Sequence, residues 1–175
     1  EKNQASGLAW HDGQLFVSYR DRNLVAMFST VDGKLKGTLE VQAPERLAVT
    51  PDGMLLAVSS GKVVQVARRE SRVETDKDSR RKTSDQRVLI TTHLDDPQGL
   101  AVGPDGTIYV ANRGTLQNIS VFDKDGKFLR SVGKPGGRPR VGTYDRQGML
   151  EPGGIAIDAK GRLWVAETLD GPKRI

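Results

Sequence analysis

The chain has 175 residues, a formal net charge of +5 and no cysteine. This length suits one ordinary domain, and the lack of cysteine excludes disulfide scaffolds, thiolate metal sites and cysteine nucleophiles. No run of eighteen apolar residues occurs, so the sequence predicts no membrane-spanning helix. The modest basic excess is only a weak indication of an acidic partner such as nucleic acid.

A short motif occurs four times along the chain. The copies begin at residues 7, 46, 99 and 154, and each joins two apolar runs through a turn that ends in glycine. Three of these turns contain Asp-Gly, which favours a β-hairpin because glycine takes positive φ without steric cost and aspartate hydrogen-bonds its own turn. Copies that recur every 40 to 55 residues or so have the period of propeller blades and exceed that of leucine-rich repeats.

A second hairpin follows the first. It is clearest where residues 24–28 pair with 35–39, and where residues 119–122 pair with 128–132. Two hairpins per copy predict an all-β fold of β-propeller blades, each a sheet of four antiparallel strands. A β-sandwich would also show short strands and turns, but not four copies of one motif.

The motif divides the chain into blades at about residues 5–43, 44–96, 97–151 and 152–175, the last of them truncated within its third strand. This arrangement is an incomplete, open ring, a single fragment of a propeller. A closed propeller buries the edges and faces that an open one exposes. We therefore expect further blades from the same longer chain, or a larger assembly of which this chain is one part.

A charged insertion at residues 68–87 interrupts the second hairpin of the second blade. It holds eight basic residues, five acidic residues and a single apolar residue, Val73. Such a segment cannot bury a core, so we expect a solvated extension of the hairpin. The alternative is an electrostatic contact with an acidic partner, although without an aromatic residue it offers no platform for base stacking.

The third copy resembles an NHL repeat from end to end. The resemblance rests on residues 97–102, the turn Pro104-Asp105-Gly106, and the strands at 108–112 and 119–123. Residues 133–154 resemble the linker into a following NHL repeat, whereas the second copy departs by having Arg46 at the usual glycine. The resemblance covers nearly the whole chain and implies a propeller of about six blades. It implies no single chemistry, because this fold hosts lyases, lactonases, RNA-binding modules and protein-binding modules.

The resemblance also implies where ligands bind. In such propellers the loops after the second strands and the links between blades surround one mouth of the channel, which makes the following residues candidates: Tyr19, Arg20, Asn112, Arg113, Arg138, Arg140, Tyr144 and Arg146. The best surface is the link at 133–152, because arginine beside an aromatic ring can hold a phosphate or a carboxylate. The alternative is that glycine and proline set the path of this link while its arginines only keep it soluble.

Asn112 and Glu167 directly follow the second strand in their blades. Two oxygen ligands at a channel mouth could hold calcium or another divalent cation, and the resemblance to regucalcin- and gluconolactonase-like propellers, which use an acid–Asn–Asp set, implies such a site. We take Ser18 and Ser59 as their equivalents in the first two blades, and serine is a poor ligand. The alternative is that Asn112 and Glu167 begin turns and hydrogen-bond the local backbone.

No catalytic residue is predicted. His11 and His93 fall in different kinds of loop, so they assemble neither a histidine-rich zinc site nor a Ser-His-Asp set. The leading hypothesis is a non-catalytic module of a larger protein that binds a protein or a small anionic ligand, with an extracytoplasmic (periplasmic or secreted) location favoured. The alternatives are a metal-assisted hydrolase or lyase, lactonase-like, completed by blades outside this chain, and an RNA-binding propeller.

Overall fold

The structure, a computed structural model, describes residues 4–68, 81–82 and 84–168. Within these residues the chain forms four separate sheets and a single short 3₁₀ turn at Arg20–Arg22, with no α-helix. The all-β prediction is therefore confirmed. No helix that could cross a membrane occurs in the described part of the chain.

The sheets follow one another along the chain. Sheet 1 contains β1 (Gly7–His11), β2 (Gln14–Tyr19), β3 (Leu24–Ser29) and β4 (Leu35–Glu40), and also β8 (Arg81–Lys82). Sheet 2 contains β5 (Pro44–Val49), β6 (Leu55–Ser59), β7 (Lys62–Arg68) and β9 (Ser84–Ile90). Sheet 3 contains β10 (Pro97–Val102), β11 (Ile108–Asn112), β12 (Asn118–Phe122) and β13 (Phe128–Val132), and sheet 4 contains β14 (Pro152–Ile157) and β15 (Leu163–Glu167).

The repeated turn has the geometry that its residues predict. In sheet 3, Gly106 has a φ of 83° and its N–H donates to the carbonyl of Gly103 at 3.0 Å. Asp105 accepts from the N–H of Thr107 at 3.0 Å and from its hydroxyl at 2.8 Å. A side chain that closes the turn and a glycine in the left-handed region together set the hairpin that starts this sheet.

Each sheet has two faces that the repeat itself distinguishes. Side chains alternate along a strand, so neighbours in the motif point to opposite sides. We call the side that carries Leu8, Leu47, Leu100 or Ile155 the leucine face. The opposite side, which carries Ala9, Ala48, Ala101 or Ala156, is the alanine face.

The chain divides into two compact units, residues 1–89 and 90–175. In the first unit the core lies between the alanine face of sheet 1 and the leucine face of sheet 2. Sheet 1 contributes Phe16, Val25, Met27 and Leu39, and sheet 2 contributes Leu47, Leu55, Ala57, Val64 and Val66. Burying a side chain of leucine or phenylalanine size stabilises a fold by about 1.5–3 kcal/mol, so this contact accounts for much of the unit's stability.

Glycine permits the sheets of one unit to approach closely. In the first unit, a Cβ on Gly7 would overlap the carbonyl oxygen of Glu45. In the second unit, a Cβ on Gly99 would overlap the carbonyl oxygen of Gly153, where the alanine face of sheet 3 meets sheet 4. The same position of the repeat therefore makes the same close contact in both units.

The insertion contains a strand that its composition did not predict. Arg81–Lys82 forms β8, which pairs in parallel with Thr38 and Leu39 on the outer edge of sheet 1. The side chain of Gln86 adds two hydrogen bonds to the same region, with the N–H of Gln42 at 3.3 Å and the carbonyl of Glu40 at 3.4 Å. Backbone pairing of this kind needs no apolar side chain, and the expectation that the insertion is a solvated extension of the hairpin stays a prediction. Residues 69–80 and 83 lie outside the described part of the chain.

Candidate functional site

The second strands of sheets 2, 3 and 4 end on a buried polar residue. Ser59, Asn112 and Glu167 each lie opposite a proline that begins the first strand of the sheet, with a bulge between this pair and the regular ladder. In sheet 1 the ladder has no such bulge, and Leu8 pairs with Val17 as Leu100 pairs with Val110. Counting from these pairs makes Tyr19 the equivalent of Asn112, so the expected equivalence of Ser18 is wrong by one residue.

These buried polar side chains fasten the link that enters their own sheet. The Ser59 hydroxyl donates to the carbonyl of Gln42 at 2.6 Å. Asn112 accepts from the N–H of Asp95 at 2.9 Å and donates to the carbonyl of His93 at 3.3 Å. One carboxylate oxygen of Glu167 accepts from the N–H of Leu150 at 2.9 Å. Buried polar groups are almost always satisfied in this way, and here the partners are backbone groups of the incoming link.

A buried ion pair holds the long link between sheets 3 and 4. Arg138 donates through Nη2 to the second oxygen of Glu167 at 2.7 Å, and both side chains are almost completely buried. The backbone N–H of Arg138 donates to the carbonyl of Met149 at 3.0 Å, and its guanidinium lies 5.5 Å from the centre of the Tyr144 ring. Since an isolated charge is costly to bury, the pair locks residues 137–150 onto the end of β15.

Several side chains of this link are exposed, namely those of Arg140, Val141, Tyr144 and Arg146. Lys134 pairs with Asp145 at 2.9 Å, and this hydrogen bond is the main reason that the pKa of Asp145 lies below its usual value. We call residues 134–147 the arginine link. Its path is set by buried contacts, while Arg140 and Arg146 remain on the surface.

The remaining candidate arginines pair with carboxylates nearby. Arg20 lies 3.2 Å from Glu45 in the first unit, and Arg113 lies 2.8 Å from Asp96 in the second. Tyr19 is half-buried at the end of β2. These arginines join the loop after a second strand to the start of a first strand, and exposed pairs of this kind contribute about 0–1 kcal/mol each.

Asp95 makes more hydrogen bonds to the loop after β11 than the Arg113–Asp96 pair does. Its Oδ2 accepts from the N–H of Thr115 at 2.5 Å, from the Thr115 hydroxyl at 2.7 Å and from the N–H of Leu116 at 3.3 Å. The hydrogen bonds from Thr115 are the main cause that lowers the pKa of Asp95. Gly114 is required beside it, because a Cβ there would overlap the carboxyl group.

A cation held by Asn112 and Glu167 would have to break these contacts. The Asn112 oxygen accepts from Asp95, and both Glu167 oxygens accept from partners of their own. Among the described residues, no group of three or more His, Cys, Asp or Glu side chains is placed to hold a metal ion. As arranged, the two side chains fit the tethering role better than a cation site.

A cavity in the second unit has a volume of about 680 Å³ and lies between the end of β13 and β15. Its apolar lining includes Leu163 and Val165, whose equivalents in sheet 3, Ile108 and Val110, are completely buried. The apolar wall therefore consists of core positions of the repeat.

Comparison with known proteins identifies the fold. An NHL repeat model matches residues 94–117, and a search of curated proteins finds no match. Three solved structures are similar over most of this chain. Hydrazine synthase of Kuenenia stuttgartiensis has a TM-score of 0.63 and 24% identity over 95% of this chain and 43% of its own.

The other two are more distant in sequence. A streptogramin B lyase has a TM-score of 0.61 and 16% identity over 92% of this chain and 47% of its own. The β-propeller domain of Cps50 (Swd1) from Myceliophteria thermophila has a TM-score of 0.60 and 12% identity over 94% of this chain and 49% of its own. The chain thus spans less than half the length of each of these three proteins. Together with the four repeated sheets, these matches show that the chain is a partial β-propeller containing an NHL repeat.

Proposed function

We propose that this chain is a non-catalytic binding module of a larger β-propeller, and that its arginine link binds a small anionic ligand. The observation that carries the proposal is the buried Arg138–Glu167 pair, which holds the link in place while Arg140 and Arg146 stay exposed. A preformed loop loses less conformational entropy on binding than a mobile one, so basic side chains on it bind anions more tightly.

The chemistry of the exposed side chains supports an anionic ligand. Guanidinium groups bind carboxylates and phosphates through two parallel hydrogen bonds. Tyr144 adds an aromatic ring between the two arginines in sequence, and one face of that ring lies toward the buried Arg138. Citrate, inorganic phosphate and glucuronate are suitable probes, because each presents carboxylate or phosphate oxygens.

A binding role is also consistent with the contacts that the buried polar side chains make among the described residues. The buried asparagine and glutamate of the second strands are engaged with backbone groups and with Arg138. The structural neighbours include hydrazine synthase and a streptogramin B lyase, so the fold is compatible with enzymes as well as binding modules. The proposal therefore depends on the arginine link and not on the fold.

The test is a titration of the ¹⁵N-labelled chain with each probe, followed by NMR. We expect shift changes confined to residues 134–147 for at least one probe, and a weaker affinity at higher salt because exposed charges are screened. The double variant Arg140→Glu with Arg146→Glu should weaken binding at least about tenfold, which corresponds to about 1.4 kcal/mol. A parallel titration with calcium chloride examines the metal alternative at Asn112 and Glu167.

The matched control is Lys127→Glu with Arg130→Glu. It makes the same change in net charge on exposed residues at β13, outside the arginine link. If the control weakens binding as much as the double variant, the effect is one of overall charge and the proposed surface is wrong. Shift changes centred elsewhere, or none with any probe, also contradict the proposal.

A further inference from the structure

The turn between β1 and β2 is shorter than the equivalent turns of the other three sheets. Only Asp12 and Gly13 separate the paired residues His11 and Gln14, and their φ angles are 43° and 70°. Two positive φ angles are typical of the two-residue hairpin turn that favours Asp-Gly. In sheets 2, 3 and 4 three residues lie inside the turn, which a backbone hydrogen bond of 2.8 to 3.0 Å closes. Sheet 1 therefore has one turn residue fewer beside sheet 2.

The longer turns engage their own polar side chains. The Thr50 hydroxyl donates to Asp52 at 2.5 Å, and Asp105 accepts from both the N–H and the hydroxyl of Thr107. Asp158 accepts from two N–H groups of its turn, each at 2.9 Å. In the short turn of sheet 1, the side chains of the histidine and the aspartate make no hydrogen bond or ion pair with the described residues. Both side chains therefore keep their full hydrogen-bonding capacity.

A cavity of about 220 Å³ lies beside this short turn, between sheets 1 and 2 of the first unit. The described residues that line it are His11, Asp12, Gln14, Phe16 and Gly53. A Cβ on Gly53 would lie 3.4 Å from Nε2 of His11, so the imidazole lies against the turn of sheet 2. Phe16 lies on the alanine face of sheet 1, which packs on sheet 2. The cavity thus belongs to a contact between two sheets that are both present in this chain.

The lining of the cavity favours a positively charged ligand. Asp12 supplies a carboxylate, and none of the described lining residues is a lysine or an arginine, although the whole chain has a net charge of +5. Phe16 supplies an aromatic ring, and cations are attracted to such rings. A metal ion fits less well, because no group of three or more His, Cys, Asp or Glu side chains among the described residues is placed to hold one.

The volume of the cavity limits the ligand to a small molecule. A water molecule in the liquid occupies about 30 Å³, so the cavity has room for about seven non-hydrogen atoms. Choline is of about this size, and aromatic side chains are known to recognise its trimethylammonium group. The neutral alcohol in which carbon replaces the nitrogen of choline has nearly the same shape without the charge. These two molecules form a matched pair of probes.

We propose that the cavity beside the β1–β2 turn binds a small organic ammonium ion, with the Asp12 carboxylate as its counter-ion and Phe16 as its apolar wall. The unengaged polar groups of the short turn complete the site. This site takes a ligand of the opposite charge to the one proposed for the arginine link, and it is built from residues of the first unit alone. The inference is therefore independent of the proposed anion-binding function.

The test is a titration of the ¹⁵N-labelled chain with choline chloride, followed by NMR. We expect shift changes confined to residues 10–16 and 50–54, which include the cavity lining. The neutral alcohol should bind at least about tenfold more weakly, because it lacks the charge that the carboxylate and the aromatic ring attract. Sodium chloride at the same concentrations is the reference, since ionic strength alone also shifts signals of exposed charges.

Asp12→Asn is the variant that tests the role of the charge. Asparagine before glycine keeps the two-residue turn, because both residues tolerate positive φ. This variant should bind choline and the neutral alcohol with nearly equal affinity. The matched control is Asp125→Asn, which removes one negative charge from an exposed turn of the second unit. The control should keep the preference for choline that the unchanged chain shows.

The following results would overturn the proposal. Shift changes with choline no larger than those with sodium chloride would mean that the cavity takes no organic cation. Equal affinity of the unchanged chain for choline and for the alcohol would remove the role of charge. Shift changes centred outside the two turns, or a preference for choline that survives Asp12→Asn, would place the site elsewhere. The anion titrations are followed at residues 134–147, so failure of one idea is distinguishable from failure of the other.

Discussion

Leu8 and Leu47 occupy the same position of the repeat, yet one is largely exposed and the other is buried. Both lie on the leucine face, both are followed by alanine, and both pair across to a second strand of similar composition. The difference is the neighbouring sheet, since the alanine face of sheet 1 covers Leu47. In a protein of stacked repeats, the stability contributed by a residue therefore depends on its neighbour as much as on its own repeat.

The largest test of this comparison is to shorten both leucines. Leu47→Ala should lower the free energy of unfolding by about 2–5 kcal/mol, since it removes a buried side chain and leaves a cavity. Leu8→Ala should cost less than about 0.5 kcal/mol, as for other exposed positions. Urea denaturation at a concentration where the chain is monomeric measures both. Equal losses would contradict the difference in burial.

A smaller effect is expected from adding a methyl group where the sheets meet. Gly99→Ala forces a Cβ against the backbone of sheet 4, and overpacking of this kind costs about 1–3 kcal/mol. Gly154→Ala meets open space and should be neutral or stabilise by about 0.4–1 kcal/mol, because alanine restricts the unfolded chain. The unfolding temperatures of the two variants should therefore shift in opposite directions or by clearly different amounts. Similar shifts would mean that sheets 3 and 4 do not approach closely.

The smallest effect concerns the link into sheet 3 and its dependence on pH. Hydrogen bonds from Thr115 lower the pKa of Asp95 below the usual value of 3.8 in the folded chain. A carboxyl group with a lowered folded pKa stabilises the fold above its unfolded pKa, and this stabilisation is lost as the pH falls through the folded pKa. Asp95→Asn should therefore be less stable than the unchanged chain at neutral pH and lose less stability on acidification below pH 3.8.

Unfolding detected by fluorescence, from neutral pH down to about pH 2.5, measures the stability of Asp95→Asn and of the unchanged chain. Asp125→Asn is a suitable control, because Asp125 is exposed and pairs only with the adjacent Lys124 among the contacts shown by the structure. If Asp95→Asn loses more stability on acidification than the unchanged chain, the stabilising role of the Asp95 carboxylate is contradicted.

The sequence was sufficient to predict the hairpins and the blades. Asp-Gly turns and apolar runs of four or five residues are local signals, and the structure places β3, β4, β12 and β13 close to the expected ranges. The equivalence of Ser18 and Asn112 rests on a weaker pattern, since each directly follows an apolar run. Ser59, Asn112 and Glu167 each lie six residues after the glycine of their turn, and six residues after Gly13 is Tyr19. The spacing from the turn is therefore the local signal that gives the correct residue.

The contacts that shape the candidate site are distant in sequence. Arg138 and Glu167 were both candidates, one as a ligand-binding residue and the other as a metal ligand, but nothing in their spacing indicated that they pair with each other. Asp95 was overlooked for the same reason, because its partners Thr115 and Leu116 lie on the far side of a hairpin. Aspartate before a proline-initiated strand, with a glycine in the facing loop, is the signal that could have revealed it.

The parallel pairing of β8 with β4 affects the order in which the protein can form during synthesis. Sheet 1 has its first four strands once residue 40 has left the ribosome, but its fifth strand, β8, lies within the second blade and follows β7 in the chain. The edge of β4 is therefore open to other extended chains while most of sheet 2 is being made. The edge of β4 can be covered only after β7 has been completed. The first sheet is therefore protected only once most of the second blade has been translated.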